Sequence, residues 1–277
     1  MADVKEMHYF GRDLHRQRGH APDEKTYLAQ FSCPDAASVI GESSVHYLVS
    51  ESAAQEIYQF NPCAKILIMI RNPIDQIISN YRQMRFTCQE DQASLHDALA
   101  LEARRRHEQA LPKNLLMTEA ILYKNIATYS KQIERYLSVF GREACLVLLT
   151  EDLARDPLLV YRKLESFLSL PHFTPVFSKR NEAKAARWHF VNEILYHPPK
   201  PLQRLVSCAL PIAARRNLVR AIAAGLSQRP KDNLRQDREL RRALAREFEP
   251  EVSLLEAMLG LPLKTVWPDF APAQKNG

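Results

Sequence analysis

The sequence predicts an α/β fold with parallel strands in a three-layer arrangement, and three observations predict it. Lys65-Ile66-Leu67-Ile68-Met69-Ile70 is a short apolar run stopped by Arg71-Asn72-Pro73, the pattern of a strand buried on both faces of a parallel sheet. Ala144-Cys145-Leu146-Val147-Leu148-Leu149 is a second such run. Between and after them the apolar positions fall at helical spacing, so the order is strand, helix, helix, strand, helix.

The first sixty residues hold turn formers at His20-Ala21-Pro22-Asp23 and Cys33-Pro34-Asp35, with one helical stretch over 50–59. After the first strand, Asn72 suits a helix N-cap and Pro73 the first helical position, so a helix runs to about Arg85. Leu122, Ile126, Tyr129, Ile133, Tyr136 and Phe140 alternate at three and four, which predicts one unbroken helix ended by Gly141. Asp156-Pro157 opens another helix through Leu159, Leu164 and Phe167, closed at Leu170-Pro171. Beyond it the chain reads as helical and basic. Pro198-Pro199 and Pro201 mark a break, and 238–259 reads as two helices split at Pro250 and ended by Gly260. With no linker and no repeat, the chain is one domain: an α/β core over 1–178 and a helical C-terminal part over 179–277.

Composition removes several function classes. The 277 residues are 46% hydrophobic and 25% charged, a globular balance that excludes disordered and collagenous chains. No apolar run approaches the roughly 18 residues of a membrane span, and Met1-Ala2-Asp3-Val4-Lys5-Glu6 lacks the basic start and apolar core of a secretory signal. As it stands the chain is expected in the cytoplasm, with a targeting or anchor segment upstream of Met1 left open. Only seven glycines occur, none closer than eight positions to the next. Neither G-x-G-x-x-G nor a Walker-type phosphate loop can be written. The five cysteines form no C-x-x-C and are expected to be buried free thiols, and no H-E-x-x-H marks the nine histidines, so no metal site is expected. The net charge of +6 is uneven: residues 179–246 carry 16 Lys and Arg against 5 Asp and Glu. A surface of that kind steers anionic partners or is simply a solvated helical face.

In open α/β sheets ligands bind beyond the carboxyl ends of strands, which singles out Ile70-Arg71-Asn72-Pro73. Arg71 leaves the strand end, where a guanidinium and helix N-terminal amides together suit a phosphate. Ser79, two turns into the helix, offers a hydroxyl to the same anion. The competing reading pairs Arg71 with Asp75 or another carboxylate and leaves Ser79 a packing or surface residue.

This segment, continuing to Ser79-Asn80-Tyr81-Arg82, resembles the 3′-phosphate-binding element of the sulfotransferases that use 3′-phosphoadenosine 5′-phosphosulfate. Lys5-Glu6-Met7-His8-Tyr9-Phe10 resembles the K-E-x-H-F/Y-F segment of the carbohydrate and bacterial branches, and Gly41-Glu42-Ser43-Ser44-Val45-His46-Tyr47-Leu48 resembles G-E-x-[ST]-P-x-Y-L. Glu151-Asp152-Leu153 follows the later strand in the same order. The resemblance runs loosely from Lys5 to about Trp267. It implies a parallel sheet of the P-loop-NTPase type, and it gives Arg71 and Ser79 the 3′-phosphate of the nucleotide. Glu6 becomes the candidate base for the acceptor, with Lys5 and His8 beside it to orient acceptor or charge. Lys179, Arg180, Lys184 and Arg187 fall near a late nucleotide-covering loop, although the K-G-x-x-G of that loop is absent. Tyr9, Phe10 and Tyr47 are candidates for an acceptor or adenine pocket, or else core. Arg104-Arg105-Arg106 reads as a solvated helical turn or a glycan contact, and 202–226 as a helix over the sheet or a membrane-surface segment.

The implied function is transfer of a sulfuryl group from that donor to a hydroxyl or amine, with a carbohydrate acceptor, leaving 3′-phosphoadenosine 5′-phosphate. The expected partners are therefore the nucleotide and a small-molecule or glycan acceptor; no nucleic acid partner is expected. Two departures qualify the implication. The family's first strand and its phosphosulfate turn, roughly P-K-x-G-T-[ST], have no counterpart here, and Ser43 stands where some relatives carry a lysine. The expectation that follows is that Met1 corresponds to an internal methionine of a longer ancestor, through a misplaced start or a true truncation. A truncated, inactive member that binds nucleotide or an anionic partner is the alternative, and a basic nucleic-acid-binding protein a third. A missing central strand also predicts marginal stability or self-association.

Overall fold

The computed structural model describes residues 5–31, 39–177, 185–186, 227–228 and 237–271. In chain order its helices and strands are α1 (Glu24–Leu28), α2 (Ala53–Phe60), β1 (Ile66–Ile70), α3 (Pro73–Phe86), α4 (Leu95–Ala100), α5 (Glu102–Arg105), α6 (Tyr123–Ala127), α7 (Tyr129–Phe140), β2 (Cys145–Leu149), α8 (Thr150–Arg155), α9 (Pro157–Phe167), β3 (Ala185–Ala186), β4 (Ser227–Gln228), α10 (Arg238–Leu259) and α11 (Leu263–Val266). Strands β1 and β2 pair in parallel, Ile66 opposite Cys145 through Ile70 opposite Leu149. The fold is α/β, with α3 to α7 making the crossover between the strands that a parallel pair requires. A short antiparallel ladder of β3 and β4 lies beside α3.

The inner face of the sheet presents Ile68, Ile70 and Leu149 to a core shared with Ile74, Ile77 and Ile78 of α3, Ile133 and Tyr136 of α7, and α10. The outer face is covered only in part. Helix α9 packs on β2, and Leu148 is buried outside the main core, whereas Leu67 and Met69 of β1 are 46% and 44% exposed. The expected burial of the first strand on both faces is therefore corrected. Among the described residues no strand continues the sheet past β1, so the outer layer is incomplete there.

Asn72 caps α3 as expected, its Oδ1 accepting from the Ile74 amide at 2.9 Å, with Pro73 at the first position. Asp156 caps α9 likewise. The single helix expected over 122–140 is broken at Thr128, whose backbone (φ −89°, ψ 85°) is not helical. The Thr128 hydroxyl donates to the Lys124 carbonyl at 2.9 Å, taking the acceptor that an unbroken helix would give to the Thr128 amide. The new helix start is secured from α10: Glu251 accepts from the Ser130 amide at 2.6 Å and from its hydroxyl at 2.7 Å, satisfying an orphan donor at a helix N-terminus. Gly141 does end α7, at φ 78°.

The pair of helices expected over 238–259 is one 22-residue helix with Pro250 inside it. A proline in a helix interior costs about 3 kcal/mol. Leu244, Phe248, Val252 and Leu255 lie on both sides of it and are 0–4% exposed, and each contributes about 1.5–3 kcal/mol by burial, so packing outweighs the break.

Three smaller expectations change. Arg105 is not solvated but fully buried, bound through both terminal nitrogens to Glu90 at 2.6 and 2.7 Å; Arg104 and Arg106 are exposed. Cys63 is exposed and Cys145 half-buried, while Cys88 is buried; Cys33 and Cys208 lie outside the described residues. So do the expectations for 198–201 and for 202–226.

Candidate functional site

Strand β1 ends at Arg71, and the turn that follows is fixed from three distant segments. The Asn72 amide donates to Glu151 Oε1 at 2.8 Å, and Asn72 Nδ2 to Asp269 Oδ2 at 2.8 Å. Thr150 ties its hydroxyl to the Ile70 carbonyl at 3.1 Å. Asp269 in turn holds Arg241 of α10 through two of its guanidinium nitrogens, and Arg241 Nη1 reaches Asp75 at 2.9 Å. Asp75, one competing partner for Arg71, is thereby taken: it pairs with Arg241. Among the described residues, no hydrogen bond or ion pair engages the half-buried Arg71 guanidinium. Burial pushes the Tyr129 hydroxyl upward, and the nearby charge of Arg71 opposes that push. Ser79 is half-buried on α3, also without a side-chain partner among the described residues.

A second group forms around Glu6. Its amide donates to the Ser43 carbonyl at 3.0 Å, and its Oε2 accepts from the Val45 amide at 3.0 Å at the start of the turn Val45–Tyr47. Glu6 and His8 both have left-handed backbone, φ 60° and 49°, a conformation uncommon outside glycine and frequent at functional sites. It is held by the His8 amide on Ser44 Oγ at 3.1 Å and by Arg16 Nη2 on the His8 carbonyl at 2.5 Å. His8 Nε2 lies 3.4 Å from Glu6 Oε2. Burial raises the Glu6 pKa above the ordinary carboxylate value, more than the Val45 amide lowers it. Burial and the Arg16 charge hold His8 down at about 4, so the Glu6 contact does not protonate it at neutral pH. His46, in the same turn, is held at about 3 by burial and by His8, whose ring centroid lies 5.0 Å away. One ligand atom from each of Glu6, His8 and His46 lies within 4.8 Å of the others.

Of the remaining expected residues, Lys5 is exposed at the edge of this group, and Lys179, Arg180, Lys184 and Arg187 lie outside the described residues. Phe10 and Tyr47 are buried with Tyr27 in a small aromatic core, and half-buried Tyr9 stacks on Tyr27 at 4.2 Å. The two groups share one support, α7: Tyr129 sits by Arg71 and Tyr136 donates to the Tyr47 carbonyl at 2.8 Å. Seven helical residues separate them, about 10 Å along the axis. Sequence reading missed Arg241, Asp269 and His46. The first two are distant in sequence from Asn72, and no local pattern marks a cation that neutralises Asp75. His46 stood inside a quoted segment at a position its pattern leaves free.

Together these features define an α/β domain with a cation, unpartnered among the described residues, at its strand-to-helix turn and a carboxylate–imidazole group on its N-terminal segment. The chain belongs to the sulfotransferase family: the sulfotransferase domain matches residues 50–190, a span that contains Arg71 and Ser79 but not Glu6. It is similar to heparan sulfate glucosamine 3-O-sulfotransferase 5 of Mus musculus and Homo sapiens, 27% and 28% identical over 169 residues, which is 60% of this chain and 45% of each relative. It is also 30% identical over 155 residues to the human bifunctional heparan sulfate N-deacetylase/N-sulfotransferase 3, covering 53% of this chain and 17% of that protein. The chain thus spans less than half the length of these curated relatives. Among solved structures it resembles the sulfotransferase from Alicyclobacillus acidocaldarius, with a TM-score of 0.66 and 27% identity over 96% of this chain and 87% of that one. Among the described residues no helix is long and apolar enough to cross a membrane.

Proposed function

We propose that the chain is a sulfotransferase that moves a sulfuryl group from 3′-phosphoadenosine 5′-phosphosulfate to a hydroxyl or amine of a carbohydrate. The observation that carries this reading is Arg71 at the end of β1, without a side-chain partner among the described residues, while Asp75 is held by Arg241. A guanidinium there fits a nucleotide 3′-phosphate. Ser79 adds a hydroxyl donor. The heparan sulfate relatives support a carbohydrate acceptor.

Transfer needs an acceptor oxygen or nitrogen in line with sulfur and a base for its proton. Glu6 suits that role: one oxygen is anchored by the Val45 amide, and burial raises its basicity. The acceptor forms its bond to sulfur, its proton passes to Glu6, and the bond from sulfur to the 5′-phosphate oxygen breaks with its electrons leaving on the nucleotide. Lys5, exposed beside Glu6, is placed to attract an anionic acceptor, and neutral His8 to orient it.

Calorimetric titration with 3′-phosphoadenosine 5′-phosphate, against 5′-AMP and with Arg71→Ala, tests the reading. Binding that requires both the 3′-phosphate and Arg71 is expected. A folded chain that binds neither nucleotide, or both equally, overturns it. Binding without sulfuryl transfer to heparan-type acceptors would leave a nucleotide-binding member of the family and remove the enzyme.

A further inference from the structure

We infer that Arg238 and Arg242, at the start of α10, bind one sulfate or phosphate group, free or ester-borne, over a floor made by Arg241 and Asp269. The inference does not rest on the function proposed above, and Arg71 takes no part in it. The three arginines line a cavity of about 280 Å³ with Ala245, Pro268 and Asp269. They belong to the basic stretch 179–246, whose charge the sulfuryl transfer does not use.

The arginines are of two kinds. Arg241 is held in place: Nε and Nη2 donate to Asp269, and Nη1 donates to Asp75 at 2.9 Å. Asp269 also accepts from Asn72 Nδ2 at 2.8 Å, so the one carboxylate in the lining is already neutralised and hydrogen-bonded. Arg238 and Arg242 are exposed and, among the described residues, have no hydrogen-bond or ion-pair partner. Their placement is unfavourable for α10 alone. Residues four apart share one helix face and like charges there repel, while a cation at the first helical position also opposes the helix dipole. The cap does not relieve them, because the Asp237 side chain is spent on the Leu240 amide at 3.0 Å. An anion seated between the two guanidinium groups answers both charges.

Size and lining select the ligand. Small-molecule clefts begin at about 300 Å³, and no aromatic ring lines this cavity for a base to stack on, so it suits one charged group and not a nucleotide. A carboxylate serves a single guanidinium fork in one plane. A tetrahedral oxoanion turns different oxygen pairs toward two forks that are not coplanar.

Equilibrium dialysis of the whole chain against radiolabelled sulfate, at constant ionic strength and in an Arg71→Ala background that silences the nucleotide turn, tests the inference. One equivalent of saturable binding is expected, displaced by phosphate and not by acetate. Arg238→Gln/Arg242→Gln should weaken it about tenfold or more, with the fold checked by circular dichroism and Arg242→Gln alone as the milder variant. Arg104→Gln/Arg106→Gln, at exposed arginines elsewhere, should leave it unchanged. A heparin-derived tetrasaccharide that displaces sulfate at lower concentration than phosphate does, and than its desulfated counterpart does, assigns an ester-borne group; phosphate acting as well as the tetrasaccharide assigns the free ion. No saturable binding by the folded chain, displacement by acetate equal to that by phosphate, unchanged affinity in Arg238→Gln/Arg242→Gln, or an equal loss in Arg104→Gln/Arg106→Gln overturns the inference. With Arg71 intact, Arg238→Gln/Arg242→Gln should still bind 3′-phosphoadenosine 5′-phosphate; loss of that binding would make the two sites one and overturn the inference too.

Discussion

Replacing Arg105 by methionine should be among the most damaging single changes in the chain. Arg105 and Glu90 have side chains with no solvent exposure and meet at 2.6 Å. Glu90 also accepts from the Tyr123 hydroxyl at 2.6 Å and the Gln92 amide at 2.9 Å. Burial alone would raise the Glu90 carboxyl, but Arg105, Tyr123 and the Gln92 amide outweigh it and hold the group below its ordinary value. Removing the guanidinium strands a buried carboxylate, at a cost of about 3–5 kcal/mol. With a urea dependence of about 3 kcal/mol per molar, the unfolding midpoint should fall by about 1 M or more, followed by the fluorescence of the buried Trp267. The double variant Glu90→Leu/Arg105→Met removes both charges and should recover most of the loss. Arg104→Met, at an exposed position, should cost nearly nothing. An Arg105→Met cost below about 1 kcal/mol, or a double variant as damaged as the sum of the single ones, would refute the buried-pair account.

Three further outcomes are expected. Arg241→Ala strips the cation from Asp75 and Asp269 and should destabilise by about 2–3 kcal/mol in urea titration, while weakening nucleotide binding because freed Asp75 competes for Arg71; unchanged affinity would show that Asp75 has no influence there. Glu165 would be raised by burial, but the Phe173 amide, Arg162 and His172 bring its carboxyl down to about 2. The unfolded state therefore binds more protons between pH 4.5 and 2, so its contribution is complete above pH 4.5 and fades as pH falls through that window. The melting-temperature gap between the natural chain and Glu165→Gln should close from pH 6 to pH 2.5, and a constant gap would contradict the assignment. Pro250→Ala restores a helix hydrogen bond within α10 and should stabilise by about 1–3 kcal/mol, read by thermal melting; a loss instead would show that α10 needs the proline to pack.

What the sequence by itself determined is local or periodic. Apolar runs ended by Arg71-Asn72-Pro73 and by Glu151 gave the parallel strands; Asn72, Asp156 and Gly141 gave helix ends, because a cap is satisfied within a few residues of itself. Tertiary structure decided whatever depends on a partner far along the chain. Thr128 breaks a periodic helix because Glu251, 121 residues beyond Ser130, supplies the new start. Pro250 fails to break one because a core face spans it. Arg105 is buried rather than solvated because Glu90 meets it. Asp75 is held away from Arg71 because Arg241, 166 residues beyond it, takes that carboxylate. His46 joins Glu6 and His8 through a turn no spacing rule connects to them. Periodicity records which face of an element is apolar, but the pairing of charges and the convergence of side chains are set by distances that exist only once the chain has folded.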